Sequence, residues 1–228
     1  MRKTIFSWLG REFISLSGEA RATGSVTEQT HDLFQRFEEE LNESRLSLDH
    51  AVRTRIWGSD REARDLATGA RSNILTGKRK AASSSYISVS HFDSGARVAL
   101  DLLAMKPSVS DSDRIAVEFE PARFYIAQLR YDSVVFVSGF TSEKKRLEDQ
   151  VPEIFADIDG ALRTASTTWN QVDKVSVYLS RTQNLDALKN LLQKANRLKL
   201  GKIEFEFVDG FAREKALLEI EATALMGG

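Results

Sequence analysis

The stretch Val134-Val135-Phe136-Val137-Ser138-Gly139 repeats an earlier one, Phe13-Ile14-Ser15-Leu16-Ser17-Gly18, with the two glycines 121 residues apart. Moving outward, the same offset matches apolar positions to apolar ones: Phe34 to Phe155, Leu41 to Leu162, Ile56 to Val177 and Trp57 to Tyr178. This constant offset predicts two copies of one domain, each of about 100 residues. Paired or ring-forming domains place their active sites between copies, so we expect a site at such a boundary.

Composition narrows the function classes. The 228 residues are 42% hydrophobic and 29% charged, which is typical of a soluble globular protein. The net charge of -1 gives no general attraction to nucleic acid or to an anionic membrane, and neither is an expected partner. Cysteine is absent, which removes thiolate chemistry and fits a cytoplasmic, reducing compartment. No signal peptide or membrane span is predicted.

Hydrophobic periodicity predicts the order β-β-α-β-α-β-β for each copy. In the first copy, strands are predicted at 12–16 and 52–57, helices at 27–44 and 60–75, and a hairpin of strands 85–92 and 96–105. In the second copy, strands are predicted at 124–129, 134–137 and 172–179, helices at 147–165 and 184–198, and closing strands at 202–208 and 216–224, joined around Asp209-Gly210. The Ser-rich segment with Pro107 predicts the division into a domain at 1–106, a linker at 107–114 and a domain at 115–228.

Three blocks of the second copy carry a resemblance to a known family. They are Val135-Phe136-Val137-Ser138-Gly139, Trp169 to Leu179, and Leu218-Glu219-Ile220-Glu221-Ala222-Thr223-Ala224. Their order and spacing resemble the Rid family, also called YjgF/YER057c/UK114, over about residues 121–225. The first copy has a more divergent version of the same blocks: Leu16-Ser17-Gly18, Ala51 to Trp57, and Leu100 to Ala104. The chain therefore resembles a divergent, tandem two-domain Rid protein.

The resemblance implies an α+β fold of two tandem Rid-like (chorismate mutase-like) domains, each a mixed β-sheet with two helices on one face. Such domains commonly close into a trimer with clefts between neighbours, so a homotrimer is expected. Well-studied members hydrolyse enamines and imines such as 2-aminoacrylate to a keto acid and ammonia, with no metal and no organic cofactor. In them an arginine opening the penultimate strand binds the substrate carboxylate, and a glutamate on the last strand positions a water.

This sequence departs from the family pattern at the arginine. Ser84 stands where the arginine would be in the first copy, and no arginine opens 202–208 in the second. The glutamate position is assigned to Asp101 in the first copy and Glu219 in the second. A carboxylate inside an apolar strand is costly unless it lines a cleft or is paired, so both residues are catalytic candidates.

The remaining candidates each have a structural alternative. Ser84, Ser85 and Tyr86 offer hydroxyls that would bind a carbonyl or small anion in a cleft, or would simply face solvent. His91 is a third catalytic candidate as a proton shuttle, although a lone histidine is more often structural. Arg123, in Pro121-Ala122-Arg123, precedes the first strand of the second copy, from which it would reach a neighbouring cleft.

Other patterns add little. The basic segment Lys78-Arg79-Lys80 either attracts an anionic substrate or is a solvated loop. The three histidines, His31, His50 and His91, lack metal-ligand spacing, so no metal is expected. Neither a P-loop nor a dinucleotide fingerprint is present, and no cofactor is expected.

Two functions stay open. One is a metal-free hydrolase or deaminase for a small enamine, imine or carbonyl compound, in which case the substrate is a small, carboxylated molecule. The other is a non-catalytic ligand-binding or assembly module that kept the fold and lost the substrate-binding arginine.

Overall fold

The computed structural model describes residues 1–109, 112–123, 125–195 and 203–227. Parts of four sequence predictions lie outside these ranges: Phe124 at the start of a strand, 196–198 at the end of a helix, Lys202 at the start of a strand, and 110–111 in the linker. No helix within the described ranges is long and apolar enough to cross a membrane.

The elements of the first copy follow the predicted order. They are β1 (Arg2–Trp8), β2 (Arg11–Glu19), α1 (Val26–Glu43), β3 (Ala51–Gly58), α2 (Arg61–Ile74), β4 (Ala82–Ile87) and β5 (Val98–Lys106). Strand β1 was not located in the sequence, because most of its side chains are exposed and give little apolar alternation. It turns into β2 at Leu9-Gly10, where both residues have positive φ, as a two-residue hairpin turn requires.

The second copy repeats this order with two additions. Its elements are β6 (Arg114–Glu118), β7 (Ile126–Tyr131), β8 (Val134–Thr141), α3 (Leu147–Thr164), β9 (Val172–Ser180), α4 (Leu185–Ala195), β10 (Ile203–Val208), β11 (Gly210–Phe211) and β12 (Leu218–Leu225). Strands β6 and β11 are the additions. A turn with positive φ at Asp132-Ser133 joins β7 to β8, in the place of Leu9-Gly10 in the first copy.

Local chemistry explains where the helices of the first copy begin. Ser25 caps α1 in a capping box with Glu28, so the helix begins at Val26, one residue before the start predicted at Thr27. Asp60 caps α2 by accepting a hydrogen bond from the Ala63 amide at 2.9 Å. The buried stripe of α1 includes Leu33, Phe34, Phe37 and Leu41, and these pack onto the sheet of the first copy.

The sheet topology contradicts the predicted hairpin of 85–92 with 96–105. The sheet of the first copy has the order β1-β2-β5-β3-β4-β11, so β3 lies between β4 and β5. Strand β4 runs parallel to β3, with Ser84 opposite Arg55. The turn signal Asp93-Ser94-Gly95 is therefore part of a longer crossover, in which Val89–His91 form a short 3-10 turn. A turn signal marks a change of direction, but it does not identify the partner strand.

The same error affects the closing strands of the second copy. Its sheet has the order β10-β9-β12-β8-β7-β6, so β9 separates β10 from β12. Gly210 and Phe211, expected in the connection, instead form β11 and pair with Ile87 and Tyr86 of β4. A short strand from the second copy thus extends the sheet of the first.

Each copy has its own core between sheet and helices, and the other sheet faces meet each other. Two apolar clusters span that boundary. One includes Phe13, Val52, Leu129 and Phe136, and the other includes Trp57, Tyr86, Tyr178 and Phe211. Aromatic rings stack across the boundary, with the Tyr86 and Tyr178 centroids 4.1 Å apart. The two copies are therefore joined by two apolar clusters, and the buried polar residues described next lie at the same boundary.

Candidate active site between the two copies

A cavity of about 140 Å³ lies where β4 and α2 of the first copy meet β8 and β12 of the second; we call it the cleft cavity. Its lining residues are Arg64, Thr68, Arg71, Ser83, Ser84, Ser85, Tyr125, Gly139, Ala212 and Glu219. Both copies contribute, as the sequence argument for a site between copies requires. The volume admits a molecule of only a few heavy atoms, well below a drug-sized pocket.

Glu219 is the acidic residue of the cleft cavity. It is 4% exposed, and the Tyr86 hydroxyl donates to its Oε1 at 2.9 Å. Burial raises the pKa of Glu219 to about 8, and the negative charge of Glu221 adds to the rise. Its carboxyl lies against Gly139, where a Cβ would come within 1.8 Å of Oε1. The glycine shared by both repeats therefore leaves room for this carboxyl.

Glu221, two residues further along β12, is held as an anion. Arg55 donates to it through Nε and through Nη2, the latter at 2.6 Å from Oε2, and Arg53 Nε lies 3.4 Å from the same oxygen. Burial alone would raise the pKa of Glu221, but the charges of Arg55 and Arg53 outweigh it and hold that pKa at about 2. Ser84 Oγ donates to Oε1 at 2.5 Å. This buried ion pair crosses the boundary between the copies.

The Tyr86 hydroxyl lies between the two carboxyls, 2.9 Å from Glu219 and 3.3 Å from Glu221. Burial, together with both carboxyls, raises the pKa of Tyr86 well above its usual value, so the phenol keeps its proton. A phenol has one proton and can also accept a hydrogen bond. Tyr86 can therefore stabilise Glu219 in either protonation state.

Two arginines of α2 supply the positive side of the cleft cavity. Arg71 is buried and donates from Nη1 to the Ser84 carbonyl at 2.6 Å, the one hydrogen bond of its guanidinium to the described part of the chain. Burial lowers the pKa of Arg71 to about 10, so it stays charged at neutral pH. Arg64 pairs with Asp65, but its buried Nε has no partner in the described ranges. Guanidinium groups with unused N–H donors beside a cavity are suited to bind a carboxylate.

Sequence reasoning missed these two arginines. Apolar residues normally mark the buried face of a helix, yet Leu66 of α2 is 47% exposed whereas Arg64 and Arg71 are buried. The available signal was the spacing of Arg64, Thr68 and Arg71, which falls on one helical face. Arginines on one face of a helix normally indicate that this face is exposed to solvent. Here the second copy covers the face and buries them.

The predicted serine-rich strand lies at the cleft cavity, but its hydroxyl groups differ in their hydrogen-bond partners. The Ser84 hydroxyl donates a hydrogen bond to Glu221, and the Ser83 hydroxyl donates to the Ala81 carbonyl at 2.9 Å. No described residue hydrogen-bonds the Ser85 hydroxyl, which lines the cleft cavity. Tyr86 contacts the carboxyls, as described above. Of the predicted binding residues, Ser85 is the one with a hydroxyl still available to a ligand.

Asp101 and His91 lie away from the cleft cavity. Asp101 accepts a hydrogen bond from Trp57 Nε1 at 2.8 Å, and burial raises its pKa. His91 stacks on the Trp57 ring at 3.7 Å, and its Nε2 is 3.2 Å from Glu206. Neither residue lines the cavity that contains Glu219.

Arg123 and the basic segment also have other contacts. The Arg123 guanidinium lies over the Phe119 ring, 4.2 Å from its centroid, and Arg123 does not line the cleft cavity. Arg79 pairs with Glu38 and Asp49 on the surface of the first copy, and Lys80 pairs with Glu118. Arg79 and Lys80 are therefore part of surface ion pairs.

Strand register corrects the assumed equivalence of Asp101 and Glu219. Asp101 lies opposite Arg55, and Glu221 lies opposite Ser176, which matches Arg55 at the 121-residue offset. Asp101 therefore corresponds to Glu221, and Ala99, opposite Trp57, corresponds to Glu219. The first copy has no counterpart of the cleft carboxyl, so the acid comes from the second copy alone. Within the ranges described, no group of three or more His, Cys, Asp or Glu side chains could hold a metal ion.

Solved structures match the chain either over about half of its length or over nearly all of it. A YjgF/YER057c/UK114-family protein from Mycobacterium tuberculosis matches 50% of the chain over its whole length, with 24% identity and a TM-score of 0.43. A YjgF-family protein from Neisseria meningitidis matches 51% of the chain over 97% of its own, with 18% identity and a TM-score of 0.44. A chorismatase matches 94% of the chain and 74% of its own length, with 16% identity and a TM-score of 0.67.

The match to the chorismatase shows that 94% of the chain shares a fold with a solved protein. The chain is an α+β protein of two successive domains, each a mixed six-stranded β-sheet with two helices, as its sequence predicts. No family model matches the sequence, and no curated protein matches it either.

Proposed function

We propose that the protein is a hydrolase or deaminase that acts on a small enamine, imine or carbonyl compound bearing a carboxylate. The observation that carries the proposal is a buried carboxyl, Glu219, with a pKa of about 8 in a cavity whose other wall holds Arg64 and Arg71. A pKa near the working pH suits a group that must give and take a proton in one cycle. In this proposal Arg64 and Arg71, which lie on helix α2, take over the role of the arginine that Ser84 replaces.

The proposed roles follow from these positions. Arg71 and Arg64 bind the substrate carboxylate, and Ser85 hydrogen-bonds the nitrogen or oxygen of the reacting carbon. Protonated Glu219 donates its proton to the enamine carbon, which gives an iminium ion. The Glu219 carboxylate then accepts a proton from the water that adds to the iminium carbon. The carbinolamine expels ammonia and leaves the keto acid, so the sum is substrate plus water giving keto acid plus ammonia.

The experiment follows 2-aminoacrylate, generated in situ by a lyase, to pyruvate with and without the protein. We expect acceleration by the wild type and a loss of about 10²-fold or more in Glu219→Gln, the range of general acid-base catalysis. Because the protonated carboxyl starts the reaction, kcat/KM should fall as pH rises through about 8. Acceleration that persists in Glu219→Gln would contradict the assigned role.

The same assay addresses the non-catalytic alternative, which Ser84 in place of the arginine favours. A binding module would bind pyruvate, measured by calorimetry, while leaving the rate of 2-aminoacrylate decay unchanged. Arg71→Met would then weaken pyruvate binding with no rate to lose. No acceleration by the wild type, together with pyruvate binding that depends on Arg71, would replace the enzyme proposal with the module.

The proposal extends to assembly and location. We propose a homotrimer, supported by the exposed apolar side chains Ile5 and Phe6 on the edge strand β1, which are 53% and 37% exposed. We propose a cytoplasmic location, which the absence of cysteine fits. The partner is a small molecule, since a net charge of -1 gives nucleic acid no general attraction.

A further inference from the structure

A second and larger cavity, of about 370 Å³, lies between the sheets on the other side of the ion pair; we call it the sheet cavity. It shares no lining residue with the cleft cavity. Its volume falls in the range of small-molecule sites, about 300–1,000 Å³. The roles proposed for Glu219 and Arg71 do not use it.

Two charged groups on its wall are only partly used. Arg55 and Asp101 are directly opposite each other on β3 and β5, where opposite charges usually pair. Arg55 turns instead to Glu221 through Nε and Nη2, and Asp101 Oδ2 accepts from Trp57. Among the described residues, no ion pair joins Arg55 to Asp101, and no hydrogen bond reaches Arg55 Nη1 or Asp101 Oδ1. A cationic donor and an anionic acceptor therefore stand side by side.

The remaining walls are apolar, apart from two serines, buried Arg53 and a weakly held ion pair. Phe6, Trp8 and Leu103 form the apolar part, and the Trp8 ring is fixed because its Nε1 donates to Asp173 at 2.6 Å. Lys174 and Glu204 pair at 2.7 Å with both side chains partly exposed, an arrangement worth only about 0–1 kcal/mol. Three cations, Arg53, Arg55 and Lys174, and two anions, Asp101 and Glu204, line the cavity. Glu221 offsets the third positive charge because it pairs with Arg53 and Arg55 from outside the cavity. A plain anion would therefore meet Asp101, and a plain cation would meet Arg55.

We infer that the sheet cavity binds a small zwitterion with an apolar or aromatic side chain, an α-amino acid being the simplest such molecule. The carboxylate bonds to Nη1 of Arg55, and the ammonium bonds to Oδ1 of Asp101. The side chain packs against Trp8 and Phe6. This site does not depend on the reaction proposed for the cleft cavity.

The test uses L-phenylalanine as the probe, with 3-phenylpropionate and 2-phenylethylamine as analogues that each carry one of its two charges. Titration by calorimetry should show binding of phenylalanine. Each analogue should bind at least about tenfold more weakly, because each loses one charged hydrogen bond. No binding of phenylalanine at millimolar concentration would overturn the inference. Equal binding of either analogue would overturn the zwitterion class.

Variants locate the binding. Leu103→Trp should fill the cavity and abolish binding, whereas Leu66→Trp, on the exposed face of α2, should not change it. Asp101→Asn keeps an oxygen for Trp57 but removes the charge, and should weaken binding at least about tenfold. Should Asp101→Asn fail to fold, Leu103→Trp carries the test. Glu219→Gln should bind phenylalanine as the wild type does. Binding at the sheet cavity is thereby tested independently of the reaction proposed for the cleft cavity. Undiminished binding by Leu103→Trp would place the ligand elsewhere and overturn the inference.

Discussion

Glu219 and Glu221 are two residues apart on β12, yet their surroundings move their pKa values in opposite directions. Glu219 is buried, no cation among the described residues bonds to it, and its pKa rises to about 8, whereas Arg55 and Arg53 hold the pKa of Glu221 at about 2. Two like charges this close oppose each other, so ionising one favours keeping the proton on the other. The pair thus separates into a proton-carrying group in the cleft cavity and a structural anion between the copies.

The raised pKa of Glu219 predicts how stability changes with pH. Its folded pKa of about 8 exceeds its ordinary value of 4.5, so folding favours the protonated form. This contribution is complete below pH 4.5 and is lost as pH rises to about 8, with a slope of at most about 1.4 kcal/mol per pH unit. Urea unfolding from pH 5 to 9 should show the loss in the wild type and a smaller one in Glu219→Gln. Identical pH dependence in both would exclude a raised pKa.

The anion Glu221 predicts a large effect on stability. Glu221→Gln leaves Arg53 and Arg55 buried without their counter-charge, so the free energy of unfolding should fall by about 3–5 kcal/mol at pH 7. Chemical denaturation measures it. The control is Glu62→Gln, which breaks an exposed pair with Arg97 and should cost no more than about 1 kcal/mol. A similar loss of unfolding free energy in both variants would show that the buried pair stabilises the fold no more than the exposed pair does.

At the residue scale, sequence reasoning found the acid but not the cations. Glu219 and Ser85 stood out because charged or hydroxyl side chains interrupt strand patterns. Arg64 and Arg71 did not, because charged residues are ordinary on an exposed helical face. Their burial depends on Ala212 and Tyr125 of the second copy, contacts that the local sequence does not encode. Sequence reasoning also assigned a catalytic role to Asp101, whose place in the register only the paired strands reveal.

At the scale of elements, periodicity located strands and helices well and their partners poorly. Helix α3 lies at Leu147–Thr164 against a predicted 147–165, and β9 at Val172–Ser180 against 172–179. The two wrong connections share one cause: β4 and β10 run parallel to β3 and β9, so each following strand must pass over its neighbour. Parallel pairing needs a long crossover, and apolar alternation along one strand carries no information about that.

The approach of β8 to β12 gives a prediction about a single methyl group. Gly139→Ala should displace the Glu219 carboxyl, since the new Cβ would stand 1.8 Å from Oε1. We expect a loss of at least about tenfold in kcat/KM on 2-aminoacrylate, because a small misplacement of a catalytic group is costly. Gly160→Ala in α3 is the control: its added Cβ would meet no neighbouring side chain or strand within 4 Å, so activity should be kept. Full activity in Gly139→Ala would show that the carboxyl position is unimportant.

At the scale of the whole molecule, the two copies have become unequal. The second copy keeps the cleft acid at Glu219, where the first has Ala99, and the first supplies the serine strand and the arginine helix. Duplication followed by such division leaves one complete cleft cavity per chain in the described ranges. Strand β11, which crosses to β4, and the Arg55–Glu221 ion pair fix the two contributions relative to each other.

The proposed assembly predicts a mass in solution. A homotrimer should scatter light as about three times the chain mass of 25.6 kDa at micromolar concentration. Replacing both exposed apolar residues of β1, as Ile5→Lys with Phe6→Lys, should lower that mass if the edge is part of the interface. A wild-type mass of one chain would reject the trimer.

In the proposed reaction, the arginines of the first copy and Glu219 of the second act on one carboxylated substrate. The most direct measurement is a crystal structure of the wild type with pyruvate bound, compared with Arg71→Met crystals soaked identically. We expect pyruvate in the cleft cavity of the wild type, with its carboxylate on Arg71 and Arg64 and its keto oxygen within hydrogen-bonding reach of Ser85 or Glu219. We expect no pyruvate there in Arg71→Met. An empty cleft cavity in the wild type at saturating pyruvate, or pyruvate bound equally in both crystals, would contradict the proposed reaction.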